Sequence, residues 1–203
     1  VIKTDALSTD IENATYDFVN KIGKLPLPVK SSPGFLVNAV LGPYLQNSMR
    51  SVDGGYKPEQ IDQAMKKWGM PMGPLELIDV VGVDILSAAG KAMLKTGDTP
   101  HCLKELIQKK HLGKKTNKGF YDWDKNKKLK RKYKPLDPTE SFQLAENLIS
   151  PLVKQTEHLV KSGVVESSEL ADAGVIFGTG FAPFRGGPLN YQNEKNKEKI
   201  TGI

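Results

Sequence analysis

Cysteine is almost absent: Cys102 is the only one in 203 residues. That excludes an internal disulfide and any cysteine-clustered zinc site, and a reducing compartment is the natural setting. Long apolar runs are also missing, since no stretch approaches the roughly 18 apolar residues that a membrane helix needs. Nor does the chain open on a basic segment followed by an apolar one, so no signal peptide is visible. These absences lead us to expect a chain with no membrane span and a cytoplasmic location. What is present, 38% hydrophobic and 26% charged residues, fits ordinary globular material with room for one large or two small domains.

The formal charge of +6 suggests an anionic partner until its distribution is considered. Lys125, Lys127, Lys128, Lys130, Arg131, Lys132 and Lys134 form a tract without an acid, and the remaining chain sums to about −1. The tract holds one aromatic, Tyr133, and no groove-reading motif. A solvated linker over residues 125–138 is therefore favoured over a nucleic-acid module, and no nucleic-acid partner is expected.

Along the chain, Thr9-Asp10-Ile11-Glu12 has the form of a capping box and opens a helix carrying Ile11, Ala14, Phe18 and Ile22 on one face. Val1–Thr4 is too short to classify alone. Leu25–Lys30, with two prolines, is extended and suits an edge strand. Residues 1–31 thus have a strand-helix-strand pattern and look like the end of an α/β domain. From Pro33 the pattern is helical as far as Gly54-Gly55. Further helices are expected from Pro58 to Gly69, from Pro74 toward Met93 with a bend near Gly82, and around Leu103–Leu112. Gly113–Trp123 is short and glycine-punctuated. A long helical stripe then runs from Phe142 to Val160 with a kink at Pro151, and a shorter helix starts at Ser168.

Five landmarks occur twice in one order: a long helix, a glycine stop (Gly55, Gly163), a short helix with an aspartate (Asp62, Asp172), a glycine (Gly69, Gly180), and Gly-Pro (Gly73-Pro74, Gly187-Pro188). Their spacing drifts only from 108 to 114 residues. An ordered set of this kind points to an internal duplication. The expected architecture is all-α, with two duplicated helical lobes at 32–124 and 139–203, the basic linker between them, and the α/β remnant in front.

Three ordered blocks carry a family resemblance. Ser32-Pro33-Gly34-Phe35-Leu36-Val37-Asn38, then Met70-Pro71-Met72-Gly73-Pro74-Leu75-Glu76-Leu77-Ile78-Asp79, then Gly113-Lys114-Lys115-Thr116 with Gly119-Phe120-Tyr121, resemble the carboxy-terminal region of 3-hydroxyacyl-CoA dehydrogenases. The segment Phe177–Pro188 is similar to the second helical lobe of the multifunctional fatty-acid β-oxidation α-subunits. The resemblance implies a helical fold like that of the 6-phosphogluconate dehydrogenase C-terminal domain. It also implies oxidation of 3-hydroxyacyl-CoA to 3-ketoacyl-CoA with NAD as cofactor. In that family a Rossmann domain carries a glycine-rich loop and a His-Glu pair, but no Gly-x-Gly-x-x-Gly occurs in these 203 residues. Residues 1–31 would then be the end of that domain, and the chain alone is expected to be catalytically silent.

The partners implied are acyl-CoA, the upstream Rossmann domain, a thiolase subunit and a second copy of the chain. Other readings remain open: another 3-hydroxyacid dehydrogenase sharing this helical domain, or a non-enzymatic helical interaction module. The resemblance further implies that Asn38 reaches toward the substrate's oxygen-bearing carbons, a task suited to an amide, which donates to a developing carbonyl oxygen without changing charge. The competing role is a first-turn asparagine bonded to backbone. The family has arginine where Ala39 stands. Lys115 falls where the family touches the cofactor, against a solvated loop lysine as the alternative. Phe177 falls where related enzymes have a substrate-contacting tyrosine, but it lacks the hydroxyl, and packing between lobes is the favoured role.

Other chemistry-bearing residues suggest less. Met70–Pro74 is either the lining of an acyl pocket or, by preference, a tight interhelical turn. Glu76, Asp79 and Asp84 follow near-helical spacing, but no histidine is near enough to favour a metal. His101, His111 and His158 are scattered, and His101 beside Cys102 lacks a third orienting group, so nucleophilic catalysis is disfavoured.

Overall fold

The computed structural model describes residues 1–4, 6–93 and 99–201; residues 5, 94–98 and 202–203, which fall inside the expected domains, lie outside them. Among the described residues the chain is dominated by helices, with strands of only two residues each. The contacts define two compact units, Val1–Val40 with Val153–Ile203, and Leu41–Leu152.

In the first unit, β1 (Ile2–Lys3) and β2 (Val29–Lys30) pair in parallel, and α1 (Thr9–Lys21) lies between them in sequence. A parallel pair needs a crossover connection, and a helix is the usual one. The cap of α1 differs from the expected Thr9/Glu12 box: Ser8 is the N-cap, its hydroxyl accepting from Ile11 N. Glu12 instead pairs with Lys3 at 2.6 Å and accepts from the Tyr16 hydroxyl. The apolar face of α1 is open, with Ile11, Phe18 and Ile22 exposed.

The first unit continues into the start of α2 (Val37–Asp53) and is completed by the end of α7 (Pro138–Lys161), by α8 (Ser168–Thr179) and by α9 (Pro188–Thr201). Lys30 N donates to Val164 O, tying β2 to the turn after α7. The helix α8 starts on Ser167, whose hydroxyl accepts from Leu170 N. The run Asn193–Lys199, so polar that it carries no apolar periodicity, is helical within α9.

The second unit holds the rest of α2, α3 (Pro58–Trp68), α4 (Pro74–Val81), α5 (Val83–Met93), α6 (His101–Gln108) and the first part of α7. Proline opens both α3 and α4, where its missing N–H would have had no intrahelical acceptor. Ile61, Ala64, Met65 and Trp68 form the buried stripe of α3 at helical spacing. The expected bend at Gly82 is a full break: the glycine sits at φ +110, where α4 ends and α5 begins. Met70–Gly73 is the interhelical turn, with Met70 buried and Gly73 the N-cap of α4.

Gly113–Lys128 is a strap that opens with a 3-10 turn (Lys114–Thr116) and ends in a hairpin of β3 (Trp123–Asp124) and β4 (Lys127–Lys128). The basic tract that follows is docked at two points. The Lys128 ammonium pairs with Glu76 and lies 4.4 Å from the centre of the Tyr121 ring. Arg131 donates to Phe120 O and to Asp122 Oδ2.

Candidate functional site

Two brackets of the same design occur, one in each unit. In the first, the buried Asp62 of α3 accepts from Leu75 N at 2.9 Å and Glu76 N at 3.0 Å, the first N–H groups of α4 after Pro74. In the second, Asp172 of α8 accepts from Leu189 N at 2.7 Å and Asn190 N at 3.0 Å, the corresponding groups of α9 after Pro188. A carboxylate there satisfies helix-end donors and opposes the positive end of the helix dipole. Glycine is required beside each one: a Cβ on Gly73 would lie 2.2 Å from Asp62 Cγ, and one on Gly187 would lie 2.3 Å from Asp172 Cβ. The repeated Asp and Gly-Pro landmarks are thus one physical device used twice.

The brackets differ in what covers them. Asp62 also accepts from the Tyr121 hydroxyl at 2.7 Å. Burial pushes its carboxyl up to about 6, against the pull of the Tyr121 hydroxyl and the α4 amides. Asp79 of α4 accepts from Phe120 N, Tyr121 N and Trp123 Nε1, all at 2.9 Å, and burial raises its pKa too. So the aromatic strap is fastened by two buried carboxylates. Above α8 and α9 there is instead an open cleft of about 730 Å³, with Asp172, Ala173, Ile176, Phe177, Leu189 and Asn193 in its walls.

Asn38 is the second residue of α2; it is exposed, and its amide has no hydrogen-bond partner among the described residues. The local backbone bonding open to a first-turn asparagine is therefore not formed. Phe177, 74% exposed, lies on the last turn of α8. The two come from neighbouring backbone within the first unit, because a Cβ on Gly178 would meet Val37 Cγ2 at 2.4 Å. Lys115 belongs to the second unit and is already engaged, its Nζ 2.6 Å from both carboxylate oxygens of Asp84. That hydrogen bond holds the Asp84 carboxyl below the usual carboxylate range.

The remaining candidates have structural partners. Glu76 pairs with Lys66 at 2.7 Å and with Lys128; burial pushes its pKa up, and the two ammonium groups bring it below the ordinary value. No group of three or more His, Cys, Asp or Glu residues suited to a metal occurs among the described residues. His101 N and Cys102 N cap α6 by donating to Asp53, while the Cys102 thiol donates to Met49 O. Burial, reinforced by Asp53, pushes that thiol up to about 12, which suppresses the thiolate a nucleophile needs. Sequence reasoning missed Asn193 and the cleft, whose only signal was the position of Asn193 relative to the second Gly-Pro.

The helical architecture matches the fold of a dehydrogenase C-terminal domain. Residues 34–123 match the family model of the 3-hydroxyacyl-CoA dehydrogenase C-terminal domain, and that segment belongs to the family. It is similar to the fatty acid oxidation complex subunit alpha of Pseudomonas savastanoi pv. phaseolicola, 36% identical over 211 aligned positions that cover 94% of this chain and 29% of the relative. The chain therefore spans less than a third of the curated relatives it matches. Among solved structures, 3-hydroxybutyryl-CoA dehydrogenase from Escherichia coli K12 shares the fold across 100% of this chain and 63% of its own, with a TM-score of 0.78 at 18% identity. The dehydrogenase part of multifunctional enzyme 1 from C. elegans matches 88% of this chain and 44% of its own, with a TM-score of 0.65 at 25% identity. Among the described residues no helix is long and apolar enough to cross a membrane.

A dinucleotide does not fit the residues present. There is no glycine-rich phosphate loop, and Lys115, the one cation the family pattern assigns to the cofactor, is held by Asp84.

Proposed function

We propose that residues 1–203 form the substrate-closing C-terminal part of an NAD-dependent 3-hydroxyacyl-CoA dehydrogenase of fatty-acid β-oxidation. The observation that carries this reading is the exposed, unengaged amide of Asn38 on the first turn of α2. An Nδ2–H there can donate to the substrate oxygen as it becomes a carbonyl, and a second covering layer keeps water from the reacting carbon. Nucleotide and proton acceptor belong to an α/β domain of which residues 1–31 are the end. The parallel β1–β2 pair and the open apolar face of α1 support that assignment. The domain division at 31, 124 and 138 goes with the same reading. Phe177 then supplies an apolar contact for acyl-CoA, and Lys115 reaches the cofactor only after leaving Asp84. The relatives' name, fatty acid oxidation complex subunit alpha, supports a partner subunit; a thiolase as that partner and a cytoplasmic location complete the same proposal.

The test joins this chain to the NAD-binding portion of the Pseudomonas relative and follows acetoacetyl-CoA-dependent oxidation of NADH. Asn38→Ala should lower kcat by about a hundredfold, the scale for losing one oxyanion donor, with little change in KM. An unaltered turnover number would remove Asn38 from the mechanism. By calorimetry the chain alone should show no tight NAD binding, and micromolar affinity would overturn the proposal.

A further inference from the structure

The Lys125–Lys134 tract carries the whole of the chain's excess charge, and it is pinned to the second unit rather than loose. Its hairpin turns at Lys125 (φ 43) and Asn126 (φ 72), the positive values that a tight two-residue loop between β3 and β4 requires. Alternation along β4 separates two faces: Lys128, opposite Trp123, turns inward to Glu76, whereas Lys127, opposite Asp124, turns outward. Leu129 N donates to Asp122 O, so the pairing runs on for one more residue and brings Leu129 to the outer face, 44% exposed. Beyond the side-chain anchors at Lys128 and Arg131, Gln60 Nε2 donates to Lys134 O at 2.9 Å. The anchors thus recur at 128, 131 and 134, and Leu129, Lys130 and Lys132 between them are exposed. The ammonium groups of Lys125, Lys127, Lys130, Lys132 and Lys134 have no ion-pair partner among the described residues. A loose run of like charges relieves its repulsion by extending in water. This one is held at three points, so its cations stay together beside an exposed leucine.

We propose that this tract docks on the surface of an anionic lipid bilayer, with its uncommitted lysines against headgroup phosphates and Leu129 entering the interface. Pinning the segment before contact lowers the ordering cost of binding. Each lysine brought near an anionic surface strengthens attachment by about fivefold, and Asp124, on the outer face beside Lys127, subtracts part of that gain. An apolar side chain among cations suits a bilayer, which has hydrocarbon directly beneath its phosphates. It does not suit a single-stranded nucleic acid, which is gripped by exposed aromatic rings, because Tyr133, the tract's one aromatic, is half-buried. Contact of this kind is peripheral and reversible, and it involves neither Asn38 nor Lys115.

The probe is a vesicle of equimolar phosphatidylcholine and phosphatidylglycerol, sedimented with the 203-residue chain and compared with vesicles of phosphatidylcholine alone. The chain should pellet with the anionic vesicles only, and the binding should vanish in about 1 M salt, where screening acts within about 3 Å. Lys127→Gln and Lys130→Gln should each weaken partitioning by about fivefold. Leu129→Asn should weaken it by a similar factor, which a purely electrostatic attachment would not show. All three positions are exposed, so thermal unfolding should be unchanged by these substitutions. Lys154→Gln, an exposed lysine of the first unit, should leave partitioning as it is. The proposal is overturned by equal binding to both kinds of vesicle or to neither, by a loss on Lys154→Gln as large as on Lys127→Gln, or by indifference to Leu129→Asn. Tighter binding to polyuridylate than to the anionic vesicles would also overturn it, marking a nucleic-acid surface.

Discussion

The α3–α4 and α8–α9 pairs are built on one plan and finished differently. Each hangs a Gly-Pro helix start on an aspartate from the preceding helix, yet the first pair is closed over by the Gly113–Lys128 strap and the second, among the described residues, has an open cleft above it. Asp62 serves three donors and Asp172 two. The bracket is therefore common to both pairs, and among the described residues they differ in what lies above it.

The contrast can be broken at its centre. Asp62→Ala should destabilise the chain by about 4 kcal/mol, because three buried donors lose their acceptor, and Asp172→Ala by about 2 kcal/mol. Equal shifts in urea unfolding free energy would mean that the strap adds nothing. Next comes pH. With the native Asp62 carboxyl near 6 and an unfolded one near about 3.9, the folded state binds this proton more tightly. The contribution is therefore fully present below the unfolded value and lost as pH rises through about 6, a change of about 3 kcal/mol. Asp62→Asn should flatten the dependence of the urea midpoint between pH 4 and pH 7 by that amount; an unchanged slope would assign the effect to Asp79 and Asp172, whose shifts have the same sign. The smallest effect sharpens the comparison: Tyr121→Phe converts Asp62 to the two-donor state of Asp172. It should cost about 1 kcal/mol by thermal unfolding, with the strap still held on Asp79.

Much of this architecture was legible from residue order. Pro58 and Pro74 announced α3 and α4, the glycines marked most helix ends, and the paired Asp and Gly-Pro landmarks announced the duplication. The resemblance carried by Pro33–Asn38 and Met70–Asp79 identified the family. The rest depended on tertiary partners that a local pattern does not encode. Thr9 and Glu12 fit a capping box, but Glu12 finds Lys3, which arrives with the strand pair, and Ser8 takes over the cap. The basic tract reads as solvated, yet Lys128 and Arg131 are drawn in by Glu76, Asp122 and the Tyr121 ring. The helical state of Asn193–Lys199 has no apolar stripe to announce it and follows from the Gly187-Pro188 start. Lys115 was read by its motif, but the motif could not show that Asp84 is close enough to engage it.

The discontinuity of the first unit has a consequence for synthesis. Residues 41–152 are contiguous and all emerge before the last fifty, so that unit can gather its core while the ribosome is still working. Lys30 must wait for Val164, whose carbonyl it cannot meet until about 130 further residues have left the tunnel.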